Sequence, residues 1–175
     1  GTARGTSFFS FAQAVIDNAG ATKLVAIDTW EGDVHTGSYG STVYSQVLKK
    51  SEELYPEADI NLMRMRFDEA VDKFDAASID ILHIDGLHTY QAVKEDFETW
   101  FPKLKSDAIV LFHDISEMKD DFGVHQYWEE LQDLYGTLEF RHSHGLGVLF
   151  LSNATYEDFK GLGNEWNIHY LRTAY

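Results

Sequence analysis

Apolar residues recur along the chain with two alternating periods, and that alternation predicts the fold class. Over residues 7–18, Phe8, Phe11, Ala12 and Val15 form one stripe at helical spacing; Thr6 or Ser7 is placed to cap it, and Gly20 supplies a stop. Leu24 to Ile27 is a short unbroken apolar run, as expected of a strand buried on both faces, and it ends at Asp28. The polar, glycine-containing residues 31–37 read as a loop. Helical spacing returns over 42–54, with Val43, Val47 and Leu48 inward, followed by a weaker strand at 60–63 and a short helix at 68–74. Residues 79–84 form a second buried strand, ending at Asp85-Gly86. Val93, Phe97, Trp100 and Phe101 predict a helix within 90–104. Ala108 to Phe112 is the most hydrophobic strand and stops at His113-Asp114. A helix over 124–135 and two closing strands, 138–140 and 147–151, complete the pattern. Helices alternating with strands predict an α/β fold with a mostly parallel sheet and helices on both its faces.

Length and charge narrow the classes of function. With 175 residues the chain suits one domain, residues 1–175, with a substantial core. No apolar run approaches the length of a membrane span, and no secretory signal opens the chain. Because residue 1 is Gly and not Met, further residues are expected upstream of Gly1. Twenty-nine acidic side chains against 14 Lys and Arg give a net charge of −15, which argues against nucleic acid and for a small or neutral substrate. Cysteine is absent, so disulfides and thiol catalysis are excluded, and a cytoplasmic location is the default expectation.

Three strands finish in acids: Asp28, Asp85 and Asp114. In open α/β sheets ligands bind beyond the carboxyl ends of the strands, so these acids mark a site. A carboxylate capping the next helix explains any one of them about as well; it explains all three together less well. Gly1-Thr2-Ala3-Arg4-Gly5-Thr6-Ser7 precedes a helix, and its two glycines let backbone approach a ligand. The spacing is neither a dinucleotide GxGxxG nor a P-loop, and alone it reads as a turn. Asp28 follows one helix and one strand later, where an acid can accept hydrogen bonds from a nucleoside ribose. His83-Ile84-Asp85-Gly86-Leu87-His88, coupled to His113-Asp114, is the strongest segment. Carboxylates with an imidazole can hold a hard divalent cation such as Mg²⁺, and His88 suits a general base, although capping the next helix is an even alternative. His83, inside its strand, reads as a core or supporting histidine. His113-Asp114 ends a strand, unlike the helical HD pair of metal-dependent phosphohydrolases.

With those residues assembled, the chain resembles the class I S-adenosylmethionine (SAM)-dependent methyltransferases, in particular the branch that accompanies glycosyltransferases and sugar- or natural-product tailoring. The resemblance runs through the glycine segment 1–7, Asp28-Thr29-Trp30-Glu31-Gly32-Asp33-Val34-His35-Thr36-Gly37, the block at 82–90, Trp100-Phe101-Pro102-Lys103-Leu104, Phe112-His113-Asp114, Phe122-Gly123-Val124 and His144-Gly145-Leu146-Gly147-Val148. It implies a Rossmann-like, seven-stranded sheet with an antiparallel last strand, whose first strand would precede Gly1. It implies SAM held by Gly1, Thr2, Gly5, Thr6, Asp28 and Thr29, with Arg66 and Phe67 near adenine and Asp85 bordering the cofactor. It also implies Mg²⁺ at Asp85, His113 and Asp114, and His88 as base for O-methylation of a sugar or related hydroxyl in polysaccharide biosynthesis. A small-molecule or glycan acceptor and an association with glycosyltransferase domains follow from the same likeness. Residues 31–39, with Trp30 and His35, are a candidate lid. Two other readings compete: a non-catalytic cofactor-binding or assembly domain of a glycan-biosynthesis protein, and a metal-dependent hydrolase on the same strand ends.

Overall fold

A computed structural model describes residues 1–119 and 121–163. The chain divides into two compact units, Gly1–Asp72 and a second that begins at Lys73. Both carry the α/β alternation that the apolar pattern predicts.

The first unit contains α1 (Thr6–Asp17), β1 (Lys23–Asp28), the two-residue strands β2 (Gly32–Asp33) and β3 (Gly37–Ser38), α2 (Val43–Leu54), β4 (Asp59–Arg64) and the short α3 (Phe67–Ala70). β1 and β4 pair in parallel, from Lys23 opposite Asp59 to Asp28 opposite Arg64. Phe9 and Ala12 of α1 pack with Trp30 and with Val43 and Val47 of α2, so apolar faces from two helices close one core. The start of α1 differs from expectation. Neither Thr6 nor Ser7 caps it; Gly5 occupies the N-cap with φ 84°, and a Cβ there would come 2.5 Å from the Phe9 ring. Only glycine combines that left-handed backbone with that contact. The predicted loop 31–37 carries a small antiparallel pair, Gly32 opposite Ser38.

The second unit contains β5 (Ile79–Ile84), α4 (Tyr90–Trp100), β6 (Leu104–His113), α5 (Val124–Gln132), β7 (Gly136–Phe140), β8 (Leu146–Phe150) and α6 (Asn153–Phe159). The strand order is β5-β6-β8-β7. β5 and β6 are parallel, whereas β8 runs antiparallel to both β6 and β7, which is the reversed last strand that the resemblance implies. Helix α4 stops at Trp100 because Pro102 cannot donate to a continuing helix, and a single 3₁₀ turn, Phe101–Lys103, leads into β6. β6 then starts at Leu104, four residues before the predicted strand, because the polar Lys105, Ser106 and Asp107 hid its first half. Helix α6 was not anticipated; the Ser152 hydroxyl caps it by accepting from Ala154 N.

The core of this unit lies against β6. Val110 and Phe112 are fully buried and pack with Phe97 of α4, Tyr127 and Trp128 of α5 and Leu149 of β8. Burying each such side chain stabilises by roughly 1.5–3 kcal/mol, so the residues just past Phe112 leave a rigid platform. Those residues are His113 and Asp114.

Candidate active site

The carboxyl ends of β5 and β6 bring four polar side chains to one place. Parallel pairing sets Ile84 beside Phe112, so Asp85 and His113 follow on neighbouring strands. His113 Nδ1 lies 3.4 Å from Asp85 Oδ1 and 3.1 Å from Asp114 Oδ1. His88 Nε2 lies 2.8 Å from Asp114 Oδ2 and 3.8 Å from Asp85 Oδ1. Two imidazoles therefore face the same two carboxylates. His88 and Asp114 are buried, while Asp85 and His113 are partly open.

Local backbone explains the aim of each group. Thr89, not His88, caps α4, since its hydroxyl accepts from Ala92 N; His88 is thereby released from the capping role. The His88 carbonyl accepts from Gly123 N at 2.8 Å, and the His88 ring lies flat against Phe122, with centroids 4.7 Å apart and planes within 2°. Asp114 sits in the left-handed region at φ 64°, a conformation uncommon for a residue with a side chain. It is held there by a hydrogen bond from its N–H to the Gly145 carbonyl, 3.0 Å, and next to it Ser116 N donates to the His144 carbonyl, 2.9 Å. Glu117 ties the same loops together, because its carboxylate meets both the His144 imidazole and the Lys119 ammonium.

The electrostatics follow from two acids facing two imidazoles. Asp114 and Asp85 raise His113 to about 10 against the pull of burial. Burial opposes charge on His88 too, but Asp114 and Asp85 outweigh it and raise that ring to about 9. Burial likewise works against the carboxylates; the imidazoles overcome it, holding Asp114 near 2 and Asp85 well below the usual range. His83, within β5, goes the other way: burial lowers it to about 4 and keeps it neutral beside the His113 ring.

Asp85, His113 and Asp114 also fit a cation. Each offers a ligand atom, and the three atoms lie within 4.8 Å of one another. His113 Nδ1 is buried and is aligned for a hydrogen bond with neither carboxylate, although it stands between them. A buried imidazole nitrogen without a hydrogen bond calls for an explanation, and a shared positive centre supplies one.

In the first unit the segment at residues 1–7 and Asp28 come together as the sequence suggested. Asp28 Oδ2 accepts from Thr2 N at 2.7 Å and Ala3 N at 2.9 Å, and Oδ1 accepts from Trp30 N at 2.7 Å. The indole of Trp30 returns a hydrogen bond to the Ala3 carbonyl. Asp28 thus organises the turn before α1, using three of the roughly four lone-pair sites of a carboxylate. Gly1 adjoins that turn, and Thr6 opens α1 without capping it. The Thr29 hydroxyl accepts from Glu31 N. Arg66 spans its guanidinium across Asp68 at 2.9 and 3.0 Å, and Phe67 begins α3 beside it. Phe122 and Gly145 had no assigned role in the sequence; both lie in segments that carry the resemblance, and that was the only signal available for them.

These strand ends and this order of elements define an α/β methyltransferase-type fold, and known proteins agree. The O-methyltransferase TomG from Streptomyces achromogenes, solved in complex with SAM, superposes with a TM-score of 0.62 at 14% identity, covering 87% of this chain and 71% of TomG. The SAH-bound methyltransferase PaMTH1 of Podospora anserina gives 0.60 at 10% identity, over 85% of this chain and 68% of that one. At such identities the likeness is one of fold. Residues 1–115 match the methyltransferase domain family, and the chain belongs to that family. An uncharacterized protein of Sinorhizobium fredii, y4gI, is 40% identical over 182 residues, which cover 99% of this chain and 20% of y4gI. The chain therefore spans only a fifth of the length of that curated relative. No helix among the described residues is long and apolar enough to cross a membrane.

Proposed function

We propose that this chain is a SAM-dependent O-methyltransferase domain that methylates a hydroxyl of a sugar or related small molecule, in the cytoplasm, with a divalent cation at Asp85, His113 and Asp114. The observation that carries the reading is the convergence of His88 Nε2 and His113 Nδ1 on the Asp85 and Asp114 carboxylates. O-methyl transfer is the activity in the name of the structural neighbour TomG, and SAM is its bound ligand. When bound, the cation would draw electron density from the acceptor hydroxyl and stabilise the developing alkoxide, while SAM would supply the methyl group.

This chain's own residues would do the rest. Asp85, His113 and Asp114 would hold the cation. His88 stands beside the same carboxylates and, in its neutral form, would take the hydroxyl proton as the oxygen–methyl bond forms and the sulfur–methyl bond breaks. Phe122 stacks on the His88 ring and the Gly123 amide anchors the His88 carbonyl, so the proton acceptor is oriented before the substrate arrives. Gly1, Thr2, Gly5 and Thr6 present the backbone turn that Asp28 organises, and Asp28 keeps one lone-pair site for a ribose hydroxyl. Thr29, Arg66 and Phe67 complete the nucleoside side. The length of y4gI beyond the matched part supports a domain that works within a larger chain, for which a glycosyltransferase partner in polysaccharide synthesis is our expectation.

Calorimetry with SAM, with and without divalent cation, tests this directly, followed by methyl transfer to a panel of sugars and phenols. Asp85→Asn and Asp114→Asn are expected to abolish transfer while the fold persists by circular dichroism. No SAM binding under either condition refutes the enzyme reading in favour of an assembly domain, and ester hydrolysis without SAM binding favours a hydrolase.

A further inference from the structure

Resting on the cation site just proposed, we infer that the His113 imidazole makes this centre select a divalent transition ion of the manganese type over magnesium. Three features of the site lead there. First, the donor set is mixed: two carboxylate oxygens and one imidazole nitrogen, Nδ1. Mg²⁺ is a hard ion that takes oxygen donors and keeps its waters, whereas an imidazole nitrogen adds affinity for first-row transition ions. Retaining two carboxylates keeps the site suited to Mn²⁺, an ion that tolerates both donor types.

Second, the nitrogen faces the site. Nδ1 is buried and lacks an aligned hydrogen bond, so no donor or acceptor of the protein is aligned to occupy it. Its distances of 3.4 and 3.1 Å to the Asp85 and Asp114 oxygens are close to the spacing of adjacent ligands about an octahedral ion, about 3.0 Å for bonds near 2.1 Å. Third, the backbone that carries the ring is fixed: His113 pairs with Leu146 across β6 and β8, and its ring centroid lies 6.3 Å from those of both His83 and His144.

The test uses the full chain and its His113→Asp variant, which restores an all-oxygen donor set. Mn²⁺ and Mg²⁺ are titrated separately by calorimetry, and the Mn²⁺-loaded protein is examined by pulsed electron paramagnetic resonance for coupling to a directly bound ¹⁴N. Expected are Mn²⁺ binding about 100-fold tighter than Mg²⁺, a gap narrowed about tenfold or more in His113→Asp, and a ¹⁴N coupling that the variant lacks. The wild-type ¹⁴N signal stands on its own should the variant fail to fold. A wild-type Mn²⁺ complex without ¹⁴N coupling, or a preference unchanged by His113→Asp, overturns the inference. Equal Mn²⁺ and Mg²⁺ affinity with methyl transfer intact overturns it alone. Binding of neither ion removes the cation from the proposed function as well.

Discussion

Replacing Gly145 by alanine should damage the cation site from a distance, and the size of the effect follows from the structure. Gly145 has φ 86°, and a Cβ there would lie 2.4 Å from Ser116 Oγ, 2.8 Å from Ile115 Cγ1 and 2.9 Å from Ser116 N. A left-handed residue with a side chain costs roughly 1–2 kcal/mol. The overlap cannot be relieved by one flexible tip, because a backbone nitrogen and a buried isoleucine both stand in the way; crowding of this kind adds about 1–3 kcal/mol. Moving residue 145 also withdraws its carbonyl from Asp114 N, the bond that holds Asp114 at φ 64°. We expect a loss of about 2–5 kcal/mol in urea unfolding, seen as a lower midpoint at constant slope. Mn²⁺ affinity should fall at least about tenfold, the equivalent of about 1.4 kcal/mol. Gly147→Ala is the matched control. Its Cβ would lie 2.7 Å from the Trp128 ring, and its three nearest neighbours are all atoms of that ring, so it overpacks the core by a comparable amount. It should lower the midpoint and leave Mn²⁺ affinity unchanged. Equal loss of affinity in both variants, or wild-type affinity in Gly145→Ala, would refute the claim that this turn aims Asp114.

Three other outcomes follow from the same geometry. Phe122→Ala removes the ring stacked on His88, a contact worth about 0.5–1.5 kcal/mol, and should lower kcat about tenfold while the Kd for SAM stays fixed; a matching fall in SAM affinity would assign Phe122 to cofactor binding. Asp28→Asn leaves at least one of the Thr2, Ala3 and Trp30 amides without its acceptor, at about 1–3 kcal/mol each. Those amides should exchange hydrogen faster and SAM binding should weaken; wild-type protection would show that the carboxylate is dispensable to the turn. For the cation-free protein, His88 and His113 are raised from 6.5 to about 9 and 10, so their contribution to stability is full below pH 6.5 and is lost as pH rises through 9–10. Asp114, lowered from 3.8 to about 2, contributes above pH 3.8 and loses that contribution as pH falls through 2. Urea midpoints in chelator should therefore decline from pH 6.5 to 10. Mn²⁺ affinity should rise over the same interval as the imidazole proton is lost. A midpoint that climbs with pH in that range contradicts the assignment.

Much of this was legible in the chain because apolar periodicity is a local signal. β5 occupies residues 79–84 as its pattern required, and the ends of three strands at Asp28, Asp85 and Asp114 stood out because packing gives no reason for acids there. What could not be read was geometry fixed by residues far along the chain. Leu104 to Asp107 form strand because β5 lies beside them and Ile79 pairs with Leu104, not because the residues themselves prefer it. The acid at Asp28 suggested a ribose ligand, yet most of its hydrogen-bonding capacity goes to its own backbone; a spacing of 25 or 26 residues says nothing about which donors arrive.

The His113-Asp114 pair shows the same limit at the chemical centre. The dipeptide names two donors but does not aim them. In an ordinary extended strand successive side chains point to opposite faces, so His113 and Asp114 would diverge and could not share an ion. Convergence requires the chain to break from β geometry at Asp114, and the left-handed φ there does so. That backbone state is secured from the turn between β7 and β8, through Gly145, and is unfavourable for Asp114 taken alone. The glycine at 145 and the acid at 114 are thus one structural requirement written at two places in the sequence. A sequence that kept the strand-end acids but placed a β-branched residue at 145 should keep the fold and lose the site.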